Sequence, residues 1–92
     1  MRVLASWNVG PGALKEAVGR FLATQGAPAA GVTLLGRWFK ADCTGGFSLF
    51  ETNSSAAFYE GAATWVDVLE IHSHVVIEDA EAGPALAKVF GK

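Results

Sequence analysis

The sequence predicts an α+β domain: one antiparallel four-stranded sheet, two helices covering one of its faces, and an added helix at the C-terminus. Three observations point there. Short β-rich runs alternate with amphipathic helical segments in the order strand, helix, strand, strand, helix, strand. Turn-forming clusters separate them at Gly10-Pro11-Gly12, Gly26 to Gly31 and Asp42 to Gly46. The 92 residues are 51% hydrophobic and 17% charged, a balance that excludes disorder and suits a single domain over residues 1–92 with its own core.

Arg2 to Asn8 reads as the first strand. After the Gly-Pro-Gly break, Leu14, Val18, Phe21 and Leu22 recur at helical spacing, which predicts a helix from Ala13 to Thr24 lying on something flat. Val32 to Lys40 and Phe47 to Thr52 are strands joined by the Asp42 to Gly46 turn. Asn53, Ser54 and Ser55 offer alternative N-caps for a second helix running to Val66, with Phe58, Ala62 and Trp65 on one stripe. Leu69 to Ile77 is the fourth strand, with Leu69, Ile71, Val75 and Ile77 on one face and Glu70, His72, His74 and Val76 on the other. Asp79 then caps a short helix whose apolar side is Leu86, Val89 and Phe90, and Pro84 fits it only near the first turn. This is the split β-α-β order of the ferredoxin-like fold.

A sheet wetted on one side should alternate apolar with polar residues along its strands. Three of these strands instead place large apolar groups on both faces: Val3 to Trp7, Val32 to Phe39 and Phe47 to Phe50. Strict alternation puts Val32, Leu34 and Trp38 on one face and Leu35 and Phe39 on the other. Leaving either face wet would expose an apolar patch of several hundred Å², the size at which patches mark interfaces. The expectation is a homodimer that packs the second sheet face against its own copy. Ser6 or Ser48, Asn8 and the two histidines would make the space between the sheets a partly polar cavity.

The net charge of −2 and the smallness of the one basic cluster, Arg37 to Lys40, exclude nucleic acid as an expected partner. No apolar run reaches the length of a membrane span, and the first eight residues are too polar for a signal peptide. Cys43 is the only cysteine, so no internal disulfide forms and a cytoplasmic location is expected. Cys43 lies in a turn with no base in view, an incidental thiol rather than a nucleophile. The Gly10-Pro11-Gly12 loop lacks the spacing of a phosphate or dinucleotide loop and is a turn.

The stretch Glu70-Ile71-His72-Ser73-His74 is the one that suggests chemistry. His72 and His74 share a strand face, as two metal ligands or a base and its helper would, and Glu70 supplies an oxygen ligand for a two-His, one-carboxylate set. Against this, three alternate strand positions span about 13 Å, too far for one ion without a group from elsewhere. The plain alternative is two histidines hydrogen-bonded at an interface. No cofactor is specified by the residues. Trp7, Trp38 and Trp65 are the kind of residue that usually serves core packing, and facing a cavity they would be flat walls for an aromatic ligand.

Along nearly its whole length the chain resembles a family of small, mostly bacterial proteins of about this size catalogued only as a domain of unknown function. The resemblance rests on Ser6–Gly12 (SWNVGPG), Leu34–Asp42 (LLGRWFKAD), Gly45–Thr52 (GGFSLFET), Trp65–Ile71 (WVDVLEI) and Val76–Asp79 (VIED). It implies a dimeric α+β barrel, two ferredoxin-like sheets facing each other around a cavity. Relatives of the wider superfamily include cofactor-free monooxygenases, haem-degrading enzymes and isomerases of small aromatic acids, and fold alone does not choose among them. The haem-degrading members are similar in using an Asn, a Trp and a His, which here would be Asn8, Trp65 and His72 or His74.

Three functional expectations follow. The first is a homodimeric binding or scaffold protein whose inter-sheet cavity, lined by Trp38, His72 and His74 with Glu70 and Asn8 at one end, holds a small apolar or aromatic ligand. The second is a monooxygenase-like enzyme in which His72 or His74 is base or iron ligand, Asn8 orients oxygen or an oxyanion, and Trp7, Trp38 or Trp65 holds the substrate. The third is a protein-association module that uses the C-terminal helix from Ala80 to Phe90.

Overall fold

A computed structural model describes residues 1–91. The elements are β1 (Arg2–Val9), α1 (Leu14–Thr24), β2 (Val32–Phe39), β3 (Gly45–Thr52), α2 (Ser55–Ala63), β4 (Leu69–Val76) and α3 (Asp79–Phe90). The sheet order is β2-β3-β1-β4 with every neighbouring pair antiparallel, an α+β ferredoxin-like arrangement with an added C-terminal helix.

Local chemistry sets the element ends. Gly12 takes a left-handed φ of 74° that turns the chain into α1, and Gly10 donates to the Val68 carbonyl at 2.8 Å, pinning that turn to the end of the α2–β4 connection. α1 stops where Gln25 and Gly26 both adopt positive φ and Thr24 Oγ1 accepts from the Gly26 amide. Of the three possible caps for α2, Ser54 serves, its hydroxyl accepting from the Ala57 amide at 3.1 Å. The β2–β3 turn closes on Asp42, whose carboxylate accepts from the Thr44 amide and hydroxyl and is thereby held below its ordinary pKa.

Four expected boundaries shift. β3 begins at Gly45, two residues early, because Lys40 donates to the Gly45 carbonyl and extends the ladder. α2 ends at Ala63 rather than Val66, and Trp65 lies in the turn that follows, its amide donating to the Ala62 carbonyl. The cap of α3 is Glu78, with Asp79 the first helical residue. Pro84 sits in the interior of α3, where it deprives the helix of one amide donor.

A β-bulge also corrects the expected faces of β2. Leu34 pairs with Phe50 and Gly36 with Leu49, so Leu35 is the extra, unpaired residue. The bulge resets the alternation: Phe39 pairs with Gly46 and Trp38 with Phe47, which puts Val32, Leu34, Arg37 and Phe39 on the helix side and Trp38 on the open side. Strict period-two counting had separated Phe39 from Leu34 and joined Trp38 to it.

The buried apolar core consists of small side chains: Val3, Ala5, Ala17 and Val68. Ser48 and Thr52 are the buried polar residues; the Thr52 hydroxyl donates to the Gly31 carbonyl and accepts from the Ser54 amide. No large side chain is fully buried among the described residues. α3 barely touches the rest of the chain. All of its residues except Ala82 are exposed, and the described chain spans 55 × 29 × 18 Å.

Candidate functional site

The sheet divides the sequence-predicted site residues between its two faces. On the open face, β1 presents Leu4, Ser6 and Asn8 opposite His74, His72 and Glu70 of β4. The His72 Nε2 lies 2.8 Å from Glu70 Oε1, a pair of neighbours on one strand face with both side chains largely in solvent. Lys40 reaches across the sheet end to donate to Asn8 Oδ1 at 3.3 Å, its ammonium 5.7 Å from the centre of the Phe47 ring. His74 is exposed and has no side-chain hydrogen bond within the described residues. Beside this polar strip the face is apolar: Trp38 is 56% exposed, with Phe47 and Leu4 also in solvent. The Trp38 ring lies along its own strand over Gly36, where a Cβ would come within 2.6 Å of it. Among the described residues, no three His, Cys, Asp or Glu side chains converge as metal ligands would.

On the other face, between the sheet and helices α1 and α2, lies a cavity of about 640 Å³. It exists because the middle of its walls is made of small residues, Ala5 and Ser48 on the strands and Ala17, Gly61 and Ala62 on the helices, while aromatic rings stand around them. Trp7 packs edge-on to Phe39 at 5.4 Å, Phe39 in turn to Phe21 at 5.4 Å, and Phe50 to Phe58 at 5.5 Å. Gly46 is required under the Trp7 ring, where a Cβ would come within 2.5 Å of Cζ2. The indole N–H of Trp7 donates to the buried Ser48 hydroxyl at 3.3 Å.

Two arginines hold the helix layer over this space. Arg20 of α1 donates to both carboxylate oxygens of Asp67, at 2.9 and 2.8 Å, to Glu16 and to the Thr64 carbonyl, and its guanidinium stands 5.7 Å from the Trp65 ring centre. The hydrogen bond from Arg20 pulls the Asp67 carboxyl below its ordinary value and that from Asp67 raises the guanidinium. Arg37, on the helix side of β2, donates to the Gln25 and Gly26 carbonyls at 3.3 and 2.6 Å and stacks 5.3 Å from the Phe21 ring centre. Burial lowers its pKa.

Thus Trp38, Asn8, Glu70, His72 and His74 share the open face, whereas Trp7 and Trp65 line the helix-side cavity. The set of Asn8, Trp65 and a histidine does not meet within one chain. The cluster of small residues lies outside the sequence reading, and Arg37, which that reading offers with Lys40 as a cation for the inter-sheet space, stands on the helix side instead. The signal of the small cluster is present in Ala5 and Ser48, small residues at central strand positions where a filled core would carry large ones.

A ferredoxin-like domain with an aromatic-walled cavity under its helices and a bare sheet face is the class of protein defined here. The chain belongs to the family described as a domain of unknown function, DUF3303, whose model matches residues 1–90. No curated protein matches it. No helix among the described residues is long and apolar enough to cross a membrane.

Proposed function

We propose that this protein is a small homodimeric binding protein whose ligand, apolar and aromatic, occupies the helix-side cavity. The observation that carries this reading is the cavity itself. Its volume of about 640 Å³ falls in the usual range of small-molecule sites, and its apolar walls with a few polar groups have their usual make-up. The space between two facing sheets, where Trp38, His72, His74, Glu70 and Asn8 would meet a second copy, is the other place for a ligand in the same dimer.

The dimer is supported by the open face, where the cross-strand partners Trp38 of β2 and Phe47 of β3 are exposed, with exposed Leu4 of β1 diagonal to Phe47. Two copies meeting through it would bury this patch isologously, each Trp38 covered by the other sheet. Cys43, exposed and unpaired, suits a reducing compartment such as the cytoplasm.

The test is a thermal-shift and tryptophan-fluorescence screen against flat aromatic acids, amides and alcohols, with haemin and divalent metals in the same panel. A ligand at a hundred times its dissociation constant should raise the midpoint by about 10 °C or more. Binding to the cavity should quench Trp7 and Trp65 emission and survive Trp38→Glu. A shift that persists when Ala62→Leu fills the cavity but vanishes in His72→Ala would move the site to the open face.

A second reading, protein association, is favoured by α3, whose Leu86, Val89 and Phe90 form an exposed apolar stripe, Phe90 being 75% exposed. The enzymatic reading keeps Asn8 and the Glu70–His72 pair as an oriented imidazole on the open face. In one chain it loses Trp65 to the opposite side.

A further inference from the structure

We infer that the ligand of the helix-side cavity is an aromatic monocarboxylate, its ring among the phenylalanines and its carboxylate on the guanidinium of Arg37. The inference rests on the reading that the cavity is a binding site, and adds the charge and shape of what it takes.

Arg37 differs from the other arginines in having no anionic partner. Arg2 pairs with Glu78, and Arg20 with Asp67 and Glu16; no carboxylate lies within ion-pair distance of Arg37 among the described residues. Its hydrogen bonds are to two neutral acceptors, the Gln25 and Gly26 carbonyls at the end of α1. A guanidinium has five N–H groups, so three remain with no protein acceptor among the described residues. Arg37 is half-buried in the cavity wall, where water satisfies those donors less well than at the surface. The burial that lowers its pKa is a cost that a bound anion would offset.

The two carbonyls explain how the group is aimed rather than why it is charged. Gly26 has no side chain, and a Cβ there would come within 2.8 Å of the guanidinium nitrogens. The guanidinium therefore seats close on the backbone of the α1 terminus, with the Phe21 ring centre 5.3 Å away. A neutral hydrogen-bonding residue would cap those carbonyls as well. A planar fork with free donors beside an aromatic cavity is what binds a carboxylate attached to a flat ring.

The rest of the wall narrows the charge to one. Lys40 reaches the cavity rim, but its ammonium is turned to Asn8 on the other side of the sheet. Glu60 is exposed at the mouth, where it would disfavour a second negative charge. A dicarboxylate or phosphate ester has no second cation to meet.

The experiment is titration calorimetry of the full chain with 2-naphthoate and with 2-naphthamide, which has the same shape without the charge. The expected result is binding of both, with the carboxylate tighter by about tenfold, the worth of one charge-assisted contact. In Arg37→Gln the two should bind within about threefold of each other, the carboxylate having lost affinity and the amide not. Nitrogen-15 spectra of the wild-type protein should show the Arg37 side-chain N–H resonance move with naphthoate and stay with naphthamide, a readout that holds even if Arg37→Gln does not fold. Equal affinities in the wild type, with an unmoved Arg37 resonance, would overturn the inference while leaving the cavity a binding site. Failure of both compounds to bind would remove the cavity reading and the inference together.

Discussion

The same four strands make both faces of this sheet, yet the faces have opposite characters. Toward the helices, small residues in the centre and rings at the margins leave a half-open cleft. Toward the open side, Trp38, Phe47 and Leu4 stand in solvent next to a ladder of Ser6, Asn8, Glu70, His72 and His74. The difference shows that apolar content does not say what a face is for. One face is apolar and concave, suited to a small molecule; the other is apolar and exposed, suited to a second sheet.

The change that should break the comparison altogether is Gly46→Val. Gly46 pairs with Trp7 on β1 and Phe39 on β2, and a Cβ there would collide with the Trp38 carbonyl as well as the Trp7 ring. The sheet then has to open or the cavity wall has to move, so a loss of at least ~3 kcal/mol is expected. Urea unfolding followed by circular dichroism checks it, and a near-native midpoint would mean that the strands are less tightly joined than these contacts imply.

Trp38→Glu should separate the two faces. It places a charge on the open patch and leaves the cavity untouched, so sedimentation velocity should show a monomer with unchanged circular dichroism. A wild-type protein that is already monomeric at tens of micromolar concentration would sink the sheet-face dimer. In the monomeric background His74→Ala should change stability by less than ~0.5 kcal/mol, since the side chain is exposed.

How much of this was legible in the sequence follows from which signals are local. Element order, the apolar character of the second face and the sharing of one side by Glu70, His72 and His74 all depend on helical or period-two spacing within one element, and they emerge as read. The assignment of Trp38 and Phe39 failed because one extra residue at Leu35 inverts everything after it, and a bulge leaves no mark in composition. The cavity was illegible for a different reason: it depends on Ala5, Ser48, Ala17 and Ala62 meeting from four elements. Trp65 could be placed on a helical stripe with Phe58, but only the fold shows which side of the sheet that stripe covers.

Truncation before Asp79 bears on the third region, α3. Because this helix buries almost nothing against the rest of the described chain, removing it should shift the thermal midpoint by no more than a few degrees, within about 1 kcal/mol. Ligand binding in the cavity should persist. A dimer that dissociates on truncation would assign the Leu86, Val89 and Phe90 stripe to the partner copy. A dimer that survives would leave the stripe to a different protein.

The smallest expected effect concerns the clamp that holds α1 against the α2–β4 turn. Asp67 titrates below its ordinary value of 3.8 because Arg20 hydrogen-bonds both its oxygens. A carboxyl whose pKa is lower folded than unfolded stabilises the fold at pH above the unfolded value, and that stability is lost as the pH falls through the folded one. The midpoint gap between wild type and Asp67→Asn should therefore be constant from neutrality down to about pH 5 and close below it, under acid conditions where Asp67 of the wild type is protonated. The pair is exposed, so the gap should be modest and should shrink in 1 M salt, where the Debye length is about 3 Å. A gap indifferent to both pH and salt would mean that Asp67 acts through its backbone position rather than its charge.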